Sequence, residues 1–172
     1  MESGMGFAPP KEVQVLTFLA QNHSAMTHLP IAAAILGALA ALMALVVRRN
    51  EITWAWAVLS IVAFVAALPT AVTGIAAAKG RLNDDGKPYI ESGFLVTPIR
   101  SNTRIFRHQM LGISGSAVAA LLAVLGIRRL RGHNPNRYLV VLLAMLLALL
   151  WGIGGHLGGE ELWGPDTFPG FH

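Results

Sequence analysis

Four apolar runs divide the chain, at residues 28–47, 53–78, 108–127 and 138–158. Each is close to the roughly 20 residues that a helix needs to cross a bilayer core. Between them lie the polar triplet Arg48, Arg49 and Asn50, a long hydrophilic stretch from Lys79 to Arg107, and a turn from Arg131 to Arg137. The first and third connections are too short for anything but an antiparallel return. The pattern predicts an all-α fold: an integral membrane four-helix bundle running up and down, one domain over residues 1–172.

Local signals refine the elements. Residues 11–22 place Val15, Leu16, Phe18 and Leu19 on one partly apolar face, which predicts a short helix lying in the membrane interface or an ordered tail packed on the bundle. Pro30 lacks a backbone N–H and suits a first helical turn, so helix 1 is expected to open at His28. Trp54 and Trp56 suit the headgroup level at the start of helix 2. Pro69 predicts a kink near its far end, with the Thr70 and Thr73 hydroxyls bonding back to their own helix. In the long connection, Asn83, Asp84, Asp85, Gly86 and Lys87 form a turn signature that could close a small β-hairpin or a flap over one end of the bundle.

Composition agrees with the pattern. The chain is 54% hydrophobic and 13% charged, which excludes an ordinary soluble domain. It has no cysteine, so disulfides, thiolate catalysis, iron–sulfur ligation by thiolate and covalent c-type haem attachment are all excluded. The formal net charge of +4 is no nucleic-acid signal, because the arginines gather at helix ends. The first 22 residues contain Pro9, Pro10, Lys11 and Glu12 and lack a basic start with a clean apolar core, so helix 1 is expected to act as an uncleaved insertion signal. Arg48, Arg49, Arg128, Arg129, Arg131 and Arg137 crowd the short turns, against Glu51 alone. That density places those turns in the cytoplasm, and both termini on the far side of a bacterial cytoplasmic membrane.

Alternate crossing then gathers His23, His28, His108 and His156 at one end of the bundle, the extracytoplasmic one, and leaves His133 at the other and His172 at the C-terminus. Neutral imidazole is a common ligand for haem iron, copper and zinc, and histidine inside a membrane is costly to bury without a partner. His108, Gly112, Gly115 and Ala119 form one helical stripe, and Gly152, His156 and Gly159 repeat it, with Gly155 beside the histidine. A flat macrocycle needs such space against the backbone, which favours haem b, one or two per chain. Helices 1 and 3 are diagonal in a sequential ring, so His28 and His108 form the expected axial pair. His156, with His23, would serve a second haem, another metal or a propionate. Arg100, Arg104 and Arg107 stand ready for propionates, and Glu160 and Glu161 for proton exchange with a quinol.

Other readings compete. Small-residue stripes also serve tight membrane helix packing. Met26 and Met110 beside histidine would suit copper. A bundle without any cofactor would suit a non-redox anchor that docks a larger respiratory complex. The absence of an acid at mid-depth argues against a proton-coupled transporter.

These residues carry a resemblance to a bacterial family of four-helix membrane proteins of unknown function. Its pattern is His-Xaa4-His-Xaa-Pro opening helix 1, matched by His23, His28 and Pro30. It continues with Thr73-Gly74 closing helix 2, His108 opening helix 3, and the glycine-rich run Gly154 to Glu160 closing helix 4. The match covers most of residues 23–163. The chain departs from the pattern in lacking a proline after the first histidine, in placing His156 within the glycine run and in its long second connection. Some relatives are fused to Rieske or cytochrome c domains. The resemblance therefore implies respiratory electron transfer outside the cytoplasmic membrane; with the histidine cluster, the expected function is a haem-bearing electron-transfer subunit of an oxidoreductase, working between the quinone pool and an extracytoplasmic redox protein.

Overall fold

The computed structural model describes residues 11–47, 49–79 and 103–163. Four helices follow one another: α1 (Lys11–Val46), α2 (Asn50–Lys79), α3 (Thr103–Leu130) and α4 (Arg137–Trp163). No strand occurs among the described residues, and the hairpin expected at Asn83–Lys87 lies outside them. The apolar spans Asn22–Val46, Asn50–Ile75, Phe106–Leu130 and Arg137–Gly159 are each long enough to cross a bilayer. This is a multi-pass membrane protein, and lipid is its surroundings.

The helices form a sequential ring. α1 packs on α2 and α4, and α3 packs on the same two, so α1 and α3 face each other across the diagonal. The interior is built from small side chains: Ala33, Ala34, Ala38 and Ala41 of α1, Ala57 and Ala63 of α2, Ala119 of α3 and Ala144 of α4 are all buried. Larger residues such as Leu36, Leu39 and Met43 point outward. In lipid a leucine gains little by moving inward, so close backbone approach decides which face is inside. A Cβ at Gly126 would stand 2.7 Å from the Ala57 carbonyl oxygen, so glycine alone permits the α2–α3 approach there. Leu122 and Leu147 fill the centre.

One expectation about element ends needs correction. Residues 11–22 are not a separate interfacial helix, because α1 runs unbroken from Lys11 with Pro30 inside it. Proline deprives the carbonyl four residues earlier, Met26, of its helical donor, and a hydroxyl from α2 takes that place: Thr70 Oγ1 donates to Met26 O at 2.9 Å. Trp56 at the start of α2 turns inward and is buried, while Trp54, two residues earlier and on another face, is exposed.

The α3–α4 reversal is closed by backbone bonds. Gly132 takes a φ of 87°, a left-handed conformation suited to glycine. Its N–H donates to Arg129 O, and that of His133 to Arg128 O, both at 3.0 Å, which is the Schellman stop of a helix. Asn136 then caps α4, its Oδ1 accepting from the N–H of Tyr138 at 2.9 Å and of Leu139 at 3.3 Å.

Candidate functional site

At the end of the bundle away from the short connections, the diagonal brings together His23 of α1 and His108 of α3. Both are half-buried. Their ring centroids are 6.3 Å apart and the rings are nearly perpendicular, at 85°.

Each ring is oriented through its δ nitrogen. His108 Nδ1 lies 2.6 Å from the Gly154 carbonyl of α4. A carbonyl can only accept, so Nδ1 is the protonated nitrogen, and in the neutral ring Nε2 carries the lone pair. His23 Nδ1 lies 3.0 Å from Thr73 Oγ1. Thr73 Oγ1 also donates to Thr70 O at 3.0 Å, and with its proton on that carbonyl the oxygen is an acceptor for His23, which gives the same tautomer. Thr70 in turn donates to Met26 O and Ala66 O, each at 2.9 Å. A chain of hydrogen bonds thus runs from the His23 ring through α2 and back to α1. The expected back-bonding of Thr70 and Thr73 is present, and both also reach α1.

Two glycines seat the rings. A Cβ at Gly74 would stand 2.9 Å from His23 Cε1, and one at Gly158 would stand 2.7 Å from His108 Cε1. Sequence reasoning did not assign these two positions to the site. The signal for them was the Thr73-Gly74 ending of helix 2 and the glycine run of helix 4.

The other expected residues are placed differently. His28 is exposed on the outer side of α1 and is not the partner of His108. Five residues turn a helix by about 140° beyond one full circle, so His23 and His28 cannot both face inward. His156 is half-buried. Among the described residues no three His, Asp or Glu side chains stand together as a metal-binding group. Gly115 and Gly155 do not leave an open slot, because Trp151 packs on Gly115 and Ile31 Cδ1 lies 2.8 Å from where a Gly155 Cβ would be. Space does remain at Gly112, with nothing within 4 Å of its Cβ position. Arg107 is exposed. Arg104 lies in the first turn of α3, Glu160 and Glu161 in the last turn of α4, and their side chains fall outside the described residues, as does Arg100 altogether.

The donor set can be compared with what each metal group requires. Zinc takes three or four protein ligands. Haem iron, held by its macrocycle, takes one or two axial ligands from the protein. A pair of imidazoles from facing helices fits the second requirement. Trp151 and Ile31 fill the layer next to the pair, at Gly115 and Gly155. Comparison with known family profiles, curated proteins and solved structures finds no match to this chain.

Proposed function

We propose that this protein is a membrane electron-transfer subunit of the b-cytochrome type, with His23 and His108 as the axial ligands of haem b. The observation that carries the reading is the pair itself: two perpendicular imidazoles on diagonal helices, each with Nδ1 engaged by a fixed acceptor. Such outer bonds orient a ligating imidazole and raise its basicity. A bound haem b supplies a one-electron carrier, and the chain's own residues do the rest. Gly154 O and Thr73 Oγ1 hold the tautomers, Gly74 and Gly158 admit the rings, and Trp151 and Ile31 close the interior beneath them.

In this reading electrons pass between a quinol in the membrane and a redox protein outside the cytoplasmic membrane, with the histidine end facing that partner. A His/Met copper centre is less well supported, since Met26 points outward and no third histidine or carboxylate joins the pair among the described residues.

The test is the visible spectrum of detergent-purified protein, oxidised and then reduced with dithionite, with haem quantified per chain after expression with ample haem supply. A sharp reduced α-band at one haem per chain supports the reading. A featureless spectrum would overturn it and leave a haem-free docking subunit as the better account.

A further inference from the structure

The opposite end of the bundle holds a second built site. A half-open cleft of about 430 Å³ lies where the two short connections meet, between the end of α1, the start of α2, the end of α3 and the start of α4. Arg49, Arg129 and Arg137 line it, and among the described residues no carboxylate does.

Arg129 is the best fixed of the three. Its guanidinium donates to Asn134 Oδ1, to Asn50 Oδ1 at 3.1 Å and to Thr53 Oγ1 at 3.0 Å. All three acceptors are neutral, so they orient the charge without cancelling it. Its Nε is buried and has no hydrogen-bond partner. Arg137 is exposed and stacks on Tyr138, with Cζ 5.3 Å from the ring centroid. The inner wall is apolar, formed in part by Trp56 and Val140. A concave site with three positive charges at its rim, spare donors and an apolar floor is matched to an anion that carries an apolar body behind it.

We propose that this cleft binds the phosphate of an anionic phospholipid, with Arg129 as the central contact, Arg49 and Arg137 flanking, and the glycerol and first acyl carbons against Trp56. Helix ends lie at the headgroup level, and basic recesses between spanning helices are where such headgroups bind. Arginine forks suit phosphate oxygens. Free phosphate shares the anionic chemistry but has nothing to place on the apolar floor.

Native mass spectrometry of the detergent-purified full chain distinguishes these sources. The protein is titrated with phosphatidylglycerol, with phosphatidylcholine and with inorganic phosphate, and thermal unfolding is followed in parallel. Phosphatidylglycerol is expected to bind with one preferred stoichiometry and to raise the unfolding temperature, while phosphatidylcholine does neither. Arg129→Gln should abolish the preference. That variant also loses three internal hydrogen bonds, so Arg137→Gln and Arg49→Gln, both at exposed positions, serve as the second measure. Each should weaken phosphatidylglycerol binding about fivefold while leaving unfolding of the lipid-free protein unchanged. Equal stabilisation by inorganic phosphate alone would overturn the lipid assignment in favour of a soluble anion. Equal binding of both lipids, or retention of the preference in all three variants, would overturn the site. The histidine pair lies at the other end, so this outcome is independent of the haem reading.

Discussion

Thr70 of α2 donates a hydrogen bond to the Met26 carbonyl of α1 at 2.9 Å, in place of the N–H that Pro30 lacks. The same hydroxyl lies 2.9 Å from Ala66 O in its own helix, so one proton is shared between two carbonyls. A proline that would break an isolated helix is thereby absorbed at a helix contact. Thr70→Val is expected to destabilise the bundle by about 1 kcal/mol, in the range of hydrogen bonds between membrane helices. In a Pro30→Ala background, residue 30 regains its own N–H for Met26, and the same substitution should cost much less. Denaturant unfolding of the four proteins in detergent measures the difference. An equal loss in both backgrounds would show that the hydroxyl does not substitute for the missing donor.

Replacing either ring tests the pair against its neighbours. His23→Ala and His108→Ala are both expected to eliminate the haem spectrum while the protein still inserts. His28→Ala and His133→Ala should keep full haem content, since both residues are exposed. If His28→Ala lost the haem and His23→Ala kept it, the axial assignment would be reversed.

Thr73 acts on His23 through one oxygen. Thr73→Val removes the acceptor for Nδ1–H and should lower haem affinity about 10–100-fold, as loss of an outer partner of a metal ligand typically does. Thr73→Ser retains the oxygen and should restore most of it. Haem titration of the two apo-variants, with the midpoint potential of the holo forms, separates this effect from general loss of stability.

The glycines of α3 and α4 should respond unequally to one methyl group. Gly158→Ala drives a Cβ to 2.7 Å from the His108 ring and is expected to cost about 1–3 kcal/mol, with reduced haem retention. Gly126→Ala meets backbone at Ala57, which cannot swing aside, and should cost at least as much. Gly112→Ala meets nothing within 4 Å and should be neutral or stabilising by up to about 1 kcal/mol through helix propensity. Thermal unfolding of the three variants ranks them.

The four spans and their sequential ring follow from hydropathy and connection length. The described spans begin and end within a few residues of the apolar runs, because lipid thickness and the absence of water for the backbone leave little choice. The inward histidine was harder to read. Taking Pro30 as a helix start makes His28 the residue at the mouth, and that inference fails because a neighbouring helix supplies the lost hydrogen bond. The better signal was the small stripe Ala41, Ala38, Ala34 and Pro30, which leads back one further heptad to His23. The glycine stripe misled for a related reason. Glycine makes room without saying for what, and at Gly115 the occupant is Trp151, which comes from a different helix. The oriented imidazoles were not legible at all, since their acceptors are a backbone carbonyl on α4 and a hydroxyl on α2, far from either histidine in sequence.

The turn between α3 and α4 has a consequence for how the chain enters a membrane. Every backbone bond that closes it lies between Ile127 and Val140, and nothing from α1 or α2 is needed to complete them. The last two helices can therefore leave the ribosome-bound insertion machinery as a finished hairpin. Their meeting with the first half of the chain is then a docking of two preassembled units, and the order of synthesis need not dictate the order of packing.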